Sequence, residues 1–239
     1  MNGKILLILI LLPALLSGCS DDSGTNPDNP SATISDEAQL AALWLTNEIK
    51  PPLAIALQIE NDLKRIRTNY ADSMPIFNQV FIYPVPPKNI SVTLTDSAVS
   101  AIRADTFTAW DDLNQSFGIN RINTNFNGNN KNYVRLYFEE HWNPSRVAPF
   151  YYDIEGVRHA NPALRFGDYS NFYPWYVDGE IAYLFREGWG DCPSGCMYNH
   201  FWYVKKINGE WTIIGDFEKE YQKPYPDWWD EISEAYWSY

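Results

Sequence analysis

Apolar residues recur at near-helical spacing through Leu40, Leu43, Trp44 and Ile49, and again through Ile55, Ile59, Leu63 and Ile66. This periodicity predicts two helices. Ser35 is placed to cap the first, and Asp36 and Glu37 stand in the turn where carboxylates favour the helix dipole. Pro51-Pro52 must break that helix and can open the next, because proline suits a first turn but not an interior. Glu60 and Lys64 stand at i,i+4 in the favourable order. Val80 to Tyr83 reads as a short strand. Ile90, Val92 and Leu94 alternate with Ser91, Thr93 and Thr95, the period of a half-buried strand. A helical pattern then opens at Asp105 or Thr106 and runs through Phe107, Trp110, Leu113 and Phe117. Residues 120–132 hold seven Asn and one Gly and read as a loop, where a sub-boundary would fall.

The pattern changes after that loop. Val134, Leu136 and Phe138 alternate with Tyr133, Arg135 and Tyr137. Asn143-Pro144 is a cap and first-turn pair for a short helix limited by Pro149, and Gly156 to Ala160 predicts a further strand. Asp178-Gly179 and Asn208-Gly209 are two-residue hairpin signals, since a type I′ turn needs positive φ at both central positions. Around the second, His200, Trp202 and Val204 can pair with Trp211 and Ile213. Ile181 to Phe185 supplies a neighbouring strand. The end of the chain, Tyr221 to Tyr239, suits a docked amphipathic helix starting after Pro224 and Pro226. The fold class expected is α+β: a helical N-terminal half and an antiparallel, hairpin-rich C-terminal half, in one globular domain over 36–239.

The first residues have a different logic. Lys4 precedes an apolar run, Ile5 to Leu16, that is shorter than the ~20 residues needed to span a bilayer. It ends in Leu16-Ser17-Gly18-Cys19, which resembles the lipobox of bacterial lipoproteins. That resemblance implies a signal peptide over 1–18 and a Cys19 thiol carrying a palmitate-type diacyl anchor, which holds a chain to a membrane without a spanning helix. Residues 19–35 are polar and suit a flexible tether. Ser20 resembles the outer-membrane sorting preference, and Asp21 and Asp22 resemble surface-export tags. The expected location is the outer membrane, facing the periplasm or exposed at the surface.

The formal charge of −12 argues against nucleic acid, whose phosphates need clustered Lys and Arg. With Cys19 lipidated, Cys192 and Cys196 remain in an oxidising compartment, where a small disulfide loop is expected. Pro193 and Gly195 suit the turn that would close it. Asp191 is placed to accept N–H bonds in the same turn. Two sharper readings stay open. Asp191, Cys192, Cys196 and His200 have a superficially zinc-like spacing, and a redox-active disulfide would use the same cysteines. No metal or cofactor is assigned.

Gly188-Trp189-Gly190-Asp191-Cys192-Pro193, Gly195-Cys196, and then His200 and Trp202 resemble a motif shared by bacterial secreted proteins and lipoproteins. Gly156-Val157, Ala160-Asn161-Pro162 and Gly167-Asp168 resemble the segment before it, with departures at Pro149 and Tyr169. That family carries no assigned activity, so no catalytic residue transfers. No Gly-x-Ser-x-Gly elbow, phosphate loop or His-Glu-x-x-His motif is present. Glu139-Glu140-His141 reads as a solvated strand end.

Aromatic residues make up 16% of the chain, enough to suggest contact surfaces as well as core. Trp228, Trp229 and Trp237, interleaved with acidic residues, are the surface candidates. The expectation is a binding module at the envelope, anchored by lipid and taking a glycan, a peptide or an envelope protein. The alternatives are a secreted hydrolase using His200 with Asp191, Glu139 or Glu140, and a purely structural envelope protein.

Overall fold

The computed structural model describes residues 34–78, 88–126, 132–162, 169–219 and 224–238. The expected leader, Cys19, most of the expected tether, the strand expected at Val80–Tyr83 and Gly167-Asp168 lie outside them. Among the described residues no helix is long and apolar enough to cross a membrane.

Helix α1 (Asp36–Thr46) starts where its cap requires, with Ser35 in extended geometry accepting from the Ala38 N–H. Asn47, at φ 52°, closes it. Ile49 therefore leaves the helix and packs into a different core. Helix α2 (Leu53–Asn69) follows Pro51-Pro52 directly and buries Ala56, Ile59, Leu63 and Ile66. Glu60 meets Lys64 at 3.1 Å, and it also accepts from the backbone N–H and hydroxyl of Ser35. The residue that caps α1 thus ties it to α2.

Strand β1 (Asn89–Leu94), helices α3 (Asp96–Arg103) and α4 (Asp111–Ser116), strands β2 (Ile119–Asn125) and β3 (Tyr133–Phe138), helix α5 (Pro144–Val147) with a 3-10 turn at Ala148–Tyr151, and strand β4 (Val157–Pro162) form the first layer pair. The sheet order is β2-β3-β1-β4, and every neighbouring pair is antiparallel. Read along the chain this is a split βαβ arrangement. Ile90, Val92, Leu94, Val134, Leu136, Phe138 and Ala160 point into one core with Ala98, Val99, Trp110 and Tyr151.

Two expectations are corrected here. No helix opens at Asp105 or Thr106: the pattern through Trp110, Leu113 and Phe117 forms only the short helix Asp111–Ser116. A separate helix, Asp96–Arg103, precedes it, capped by the Thr95 hydroxyl accepting from the Ala98 N–H. This earlier helix buries only Ala98 and Val99, too little to register as a stripe, and Asp105 ends it in the left-handed region at φ 56°. The Asn-rich segment is also not all loop. Ile119–Asn125 is edge strand β2, held by its backbone ladder to β3. This edge strand is exposed from Asn120 to Thr124, so it needs few apolar residues and composition hid it.

Strands β5 (Asn171–Val177), β6 (Glu180–Trp189), β7 (Tyr198–Ile207) and β8 (Glu210–Lys219) form a second sheet in simple meander order. Both hairpin turns are as expected, with Asp178 and Gly179 at φ 51° and 82°, and Asn208 and Gly209 at 52° and 83°. Pro174 is tolerated because β5 is an edge. One face of this sheet packs under α1, α2 and Phe77. The other packs under α6 (Trp229–Trp237), giving three layers.

The chain is therefore mixed α+β, with helices mostly N-terminal and strands mostly C-terminal, although three strands of the first sheet lie before residue 139. The α1–α2 corner joins the two sheets. The Asn47 carbonyl accepts from Arg146 Nε and the Ile49 carbonyl from the Asn143 N–H, each at 3.0 Å.

Candidate functional site

On the α1/α2 face of the second sheet, side-chain rows run from a closed core to an open end. Along β6 the row is Ile181, Tyr183, Phe185, then Glu187 and Trp189. Along β7 it is Val204 and Trp202, then His200 and Tyr198. The apolar members sit under the helices, while Trp189 and Tyr198 are exposed. Register places Trp189 opposite Tyr198 and Glu187 opposite His200. The Trp189 and Tyr198 rings stack at 5.7 Å and 19°.

β8 completes the patch through an irregularity. Val204 pairs with Ile213, but Tyr203 pairs with Gly215, so Ile214 is an extra residue. A bulge of this kind reverses which side chains face which way. Trp211 and Ile213 face the α1/α2 core, yet beyond the bulge Phe217 faces α6 and Asp216 and Glu218 turn to the patch. Asp216 lies opposite Trp202 and Glu218 opposite His200. His200 Nε2 meets Asp216 Oδ2 at 2.8 Å, and its ring stacks on Trp202 at 3.9 Å. Trp202 itself is buried against Phe77, so it holds the imidazole rather than facing solvent.

The β6–β7 connection fixes this end. Cys192 and Cys196 are bonded to each other across a 3-10 turn, Cys192–Ser194. Gly190 and Gly195 adopt φ of 96° and 115°, a region that side chains rarely enter. Gly188 is needed for space instead: a Cβ there would lie 2.6 Å from Cys196 Sγ and 3.3 Å from Arg186 Nη2. The Met197 N–H donates to the Trp189 carbonyl at 3.1 Å, closing the loop so that Trp189 and Tyr198 face each other. The conspicuous motif is thus the frame that presents two rings and an imidazole.

Other residues singled out above fall differently. Asp191 stands at the start of the 3-10 turn but makes no side-chain cap; the carboxylate that meets His200 is Asp216. Among the described residues no group of three or more His, Cys, Asp or Glu is arranged to hold a metal. Trp229 is 4% exposed and packs on Phe201 and Tyr225, so it is core. Trp228 is half-buried against Tyr203 and Gly215. Trp237 is exposed. Glu187, Tyr198, Asp216 and Glu218 were not legible as site residues: the last two need the bulge, and the first two need the register.

His141 is not a solvated strand end. It is buried, with Nε2 at 2.8 Å from Asp36 Oδ1, beside a cleft of about 460 Å³ lined by Lys50, Lys88, Glu139 and Glu140. Glu140 pairs with Lys50. His141 Nδ1 is buried without a partner among the described residues, so neither ring nitrogen is offered to a substrate. Burial pushes this imidazole below its ordinary 6.5, outweighing the pull of Asp36. A histidine with a depressed folded pKa contributes stability above the unfolded value that is lost as pH falls through the folded one. The urea midpoint is therefore expected to drop from pH 7.5 to pH 5 by more in the wild type than in His141→Gln. Equal drops would show that the ring does not titrate against folding.

The sequence matches no protein-family model, no curated protein and no solved structure.

Proposed function

We propose that this chain is an outer-membrane lipoprotein, anchored through Cys19, whose second sheet presents a binding platform for uncharged glycans. The observation that carries the binding reading is the exposed, stacked Trp189–Tyr198 pair beside His200, Glu187, Asp216 and Glu218. Tyr and Trp offer large contact area at little conformational cost, and their faces suit the C–H face of a pyranose ring. Ionised carboxylates accept hydrogen bonds from sugar hydroxyls. Three carboxylates around one imidazole repel an anionic ligand, which favours neutral sugars.

The test is isothermal titration of the full chain with cellohexaose, maltohexaose and chitohexaose. Binding of at least one is expected, with Trp189→Ala and Tyr198→Ala each weakening it about tenfold, equivalent to ~1.4 kcal/mol. No binding by any of them at millimolar concentration, or unchanged binding in both variants, would overturn the platform. In cells, labelled palmitate is expected to enter the wild type and not Cys19→Ala; equal labelling would remove the anchor.

A second reading rests on the same patch. Glu187 and Glu218 flank His200 from the two neighbouring strands, so their backbones stand about 10 Å apart, compatible with an acid and base across a glycosidic bond. Release of reducing ends that stops in Glu187→Gln would favour hydrolysis over binding alone.

A further inference from the structure

The first sheet has a second face, opposite its core, built by Arg121 and Asn123 on β2, Tyr133, Arg135 and Tyr137 on β3, Ser91 and Thr93 on β1, and His159 and Asn161 on β4. Register aligns them across the strands: Arg121 with Tyr137, Asn123 with Arg135, Ser91 with Arg135 and Asn161, Thr93 with His159. The helices of this layer all pack on the other side. Asn89, at one end, is buried, but from Ser91 outward the face is half-exposed or exposed.

Its charge differs from that of the rest of the molecule. In a chain of net −12, the four strands β1–β4 contain Arg121, Arg135 and Arg158 and no Asp or Glu. Among the described residues none of these three guanidinium groups pairs with a carboxylate. Glu139, just past the end of β3, is the nearest carboxylate along that row. Two of them, Arg121 and Arg135, are instead set beside tyrosines. Arg121 Cζ sits 3.7 Å from the Tyr137 ring centroid and Arg135 Cζ 5.6 Å from that of Tyr133. Arg135 Nε donates to the Tyr133 hydroxyl at 2.9 Å, which also meets Ser91 Oγ at 2.7 Å.

We infer that this face binds a carboxylate-bearing polysaccharide, a polyuronate. The guanidinium fork matches carboxylate geometry, and stacking on a ring pre-organises it for that role. The surrounding Asn, Ser and Thr side chains offer donors and acceptors to sugar hydroxyls. An open sheet face with aromatics and arginines also suits single-stranded nucleic acid, which requires free ring faces for base stacking. Here Arg121 covers the Tyr137 ring and Arg135 holds the Tyr133 hydroxyl, so the face reads charge and hydroxyls rather than bases. This site shares no residue with the Trp189 platform and takes a ligand of opposite preference, so the two readings fail independently.

The test is binding of the full chain to polygalacturonate, with neutral dextran as control and a single-stranded oligonucleotide as competitor. Binding that weakens with added salt and falls at least tenfold in Arg121→Glu/Arg135→Glu is expected. Arg121→Lys/Arg135→Lys keeps the charge and should lose part of the affinity, because lysine lacks the planar fork. Circular dichroism of each variant checks that these exposed changes leave the fold intact. No polygalacturonate binding, equal binding by the Glu variant, or displacement by the oligonucleotide at lower concentration than by polygalacturonate itself would overturn the proposal.

Discussion

Arg186→Ala is expected to remove about 3–5 kcal/mol of folding stability, through lost hydrogen bonds and a cavity together. Arg186 is 1% exposed and lies on β6 facing α6, on the opposite side from the platform. Its Nε donates to Asn199 Oδ1 at 2.6 Å, and Nη1 donates to the Tyr169 carbonyl and the Tyr173 hydroxyl at 3.2 and 3.4 Å. The guanidinium also stands over the Tyr236 ring at 5.4 Å. One side chain therefore ties β5, β7 and α6 to the strand that leads into the disulfide loop. Alanine would leave the half-buried Asn199 and Tyr169 acceptors and the buried Tyr173 hydroxyl without this donor, which costs more than the bonds themselves were worth. With typical domain stabilities of about 5–15 kcal/mol, such a loss consumes much of the margin. Arg186→Met, which keeps most of the volume but not the donors, should lose less. Urea denaturation followed by tryptophan fluorescence measures both, and a wild-type midpoint in the alanine variant would show that the network carries no weight.

The second large effect is expected at Gly188. Valine there should cost about 2–3 kcal/mol, because a side chain would be driven into Cys196 Sγ and the Arg186 guanidinium with little room to yield. The cause can be isolated. In a Cys192→Ala/Cys196→Ala background the sulfur is gone, so the added cost of Gly188→Val should fall by half or more, a coupling that a double-mutant cycle reads directly. The cysteine pair alone should contribute about 2 kcal/mol, since a short loop removes little unfolded-state entropy. An undiminished valine cost in the cysteine-free background would place the clash elsewhere. Because this loop holds Trp189 against Tyr198, Gly188→Val should also weaken the glycan binding proposed for that pair.

The disulfide pairing and the two hairpin turns were readable because each needs groups only a few residues apart. Cys192-Pro193-Ser194-Gly195-Cys196 carries its own turn, and Asp178-Gly179 and Asn208-Gly209 carry theirs. Sequence reasoning was weaker where packing was sparse: Asp96–Arg103 buries two residues, and β2 is an edge whose Asn residues look like loop. It also misjudged tryptophans by their acidic neighbours. Trp229 lies among Asp227, Asp230 and Glu231, yet the helix turns it inward, because a 3.6-residue period separates adjacent side chains by about 100°.

By itself the sequence determined the α+β class, the caps at Ser35 and Asn143, the hairpins and the cysteine pairing, all consequences of local backbone chemistry. Only the tertiary structure decided which groups meet. His200 finds Asp216 because one extra residue in β8 reverses the facing of the strand, a change that no period-two reading of a single strand contains. The face carrying Arg121 and Arg135 without a carboxylate arises because the order β2-β3-β1-β4 brings together strands that are each unremarkable in charge. Both surfaces depend on cross-strand register, which is fixed by packing and hydrogen bonding between segments distant in sequence.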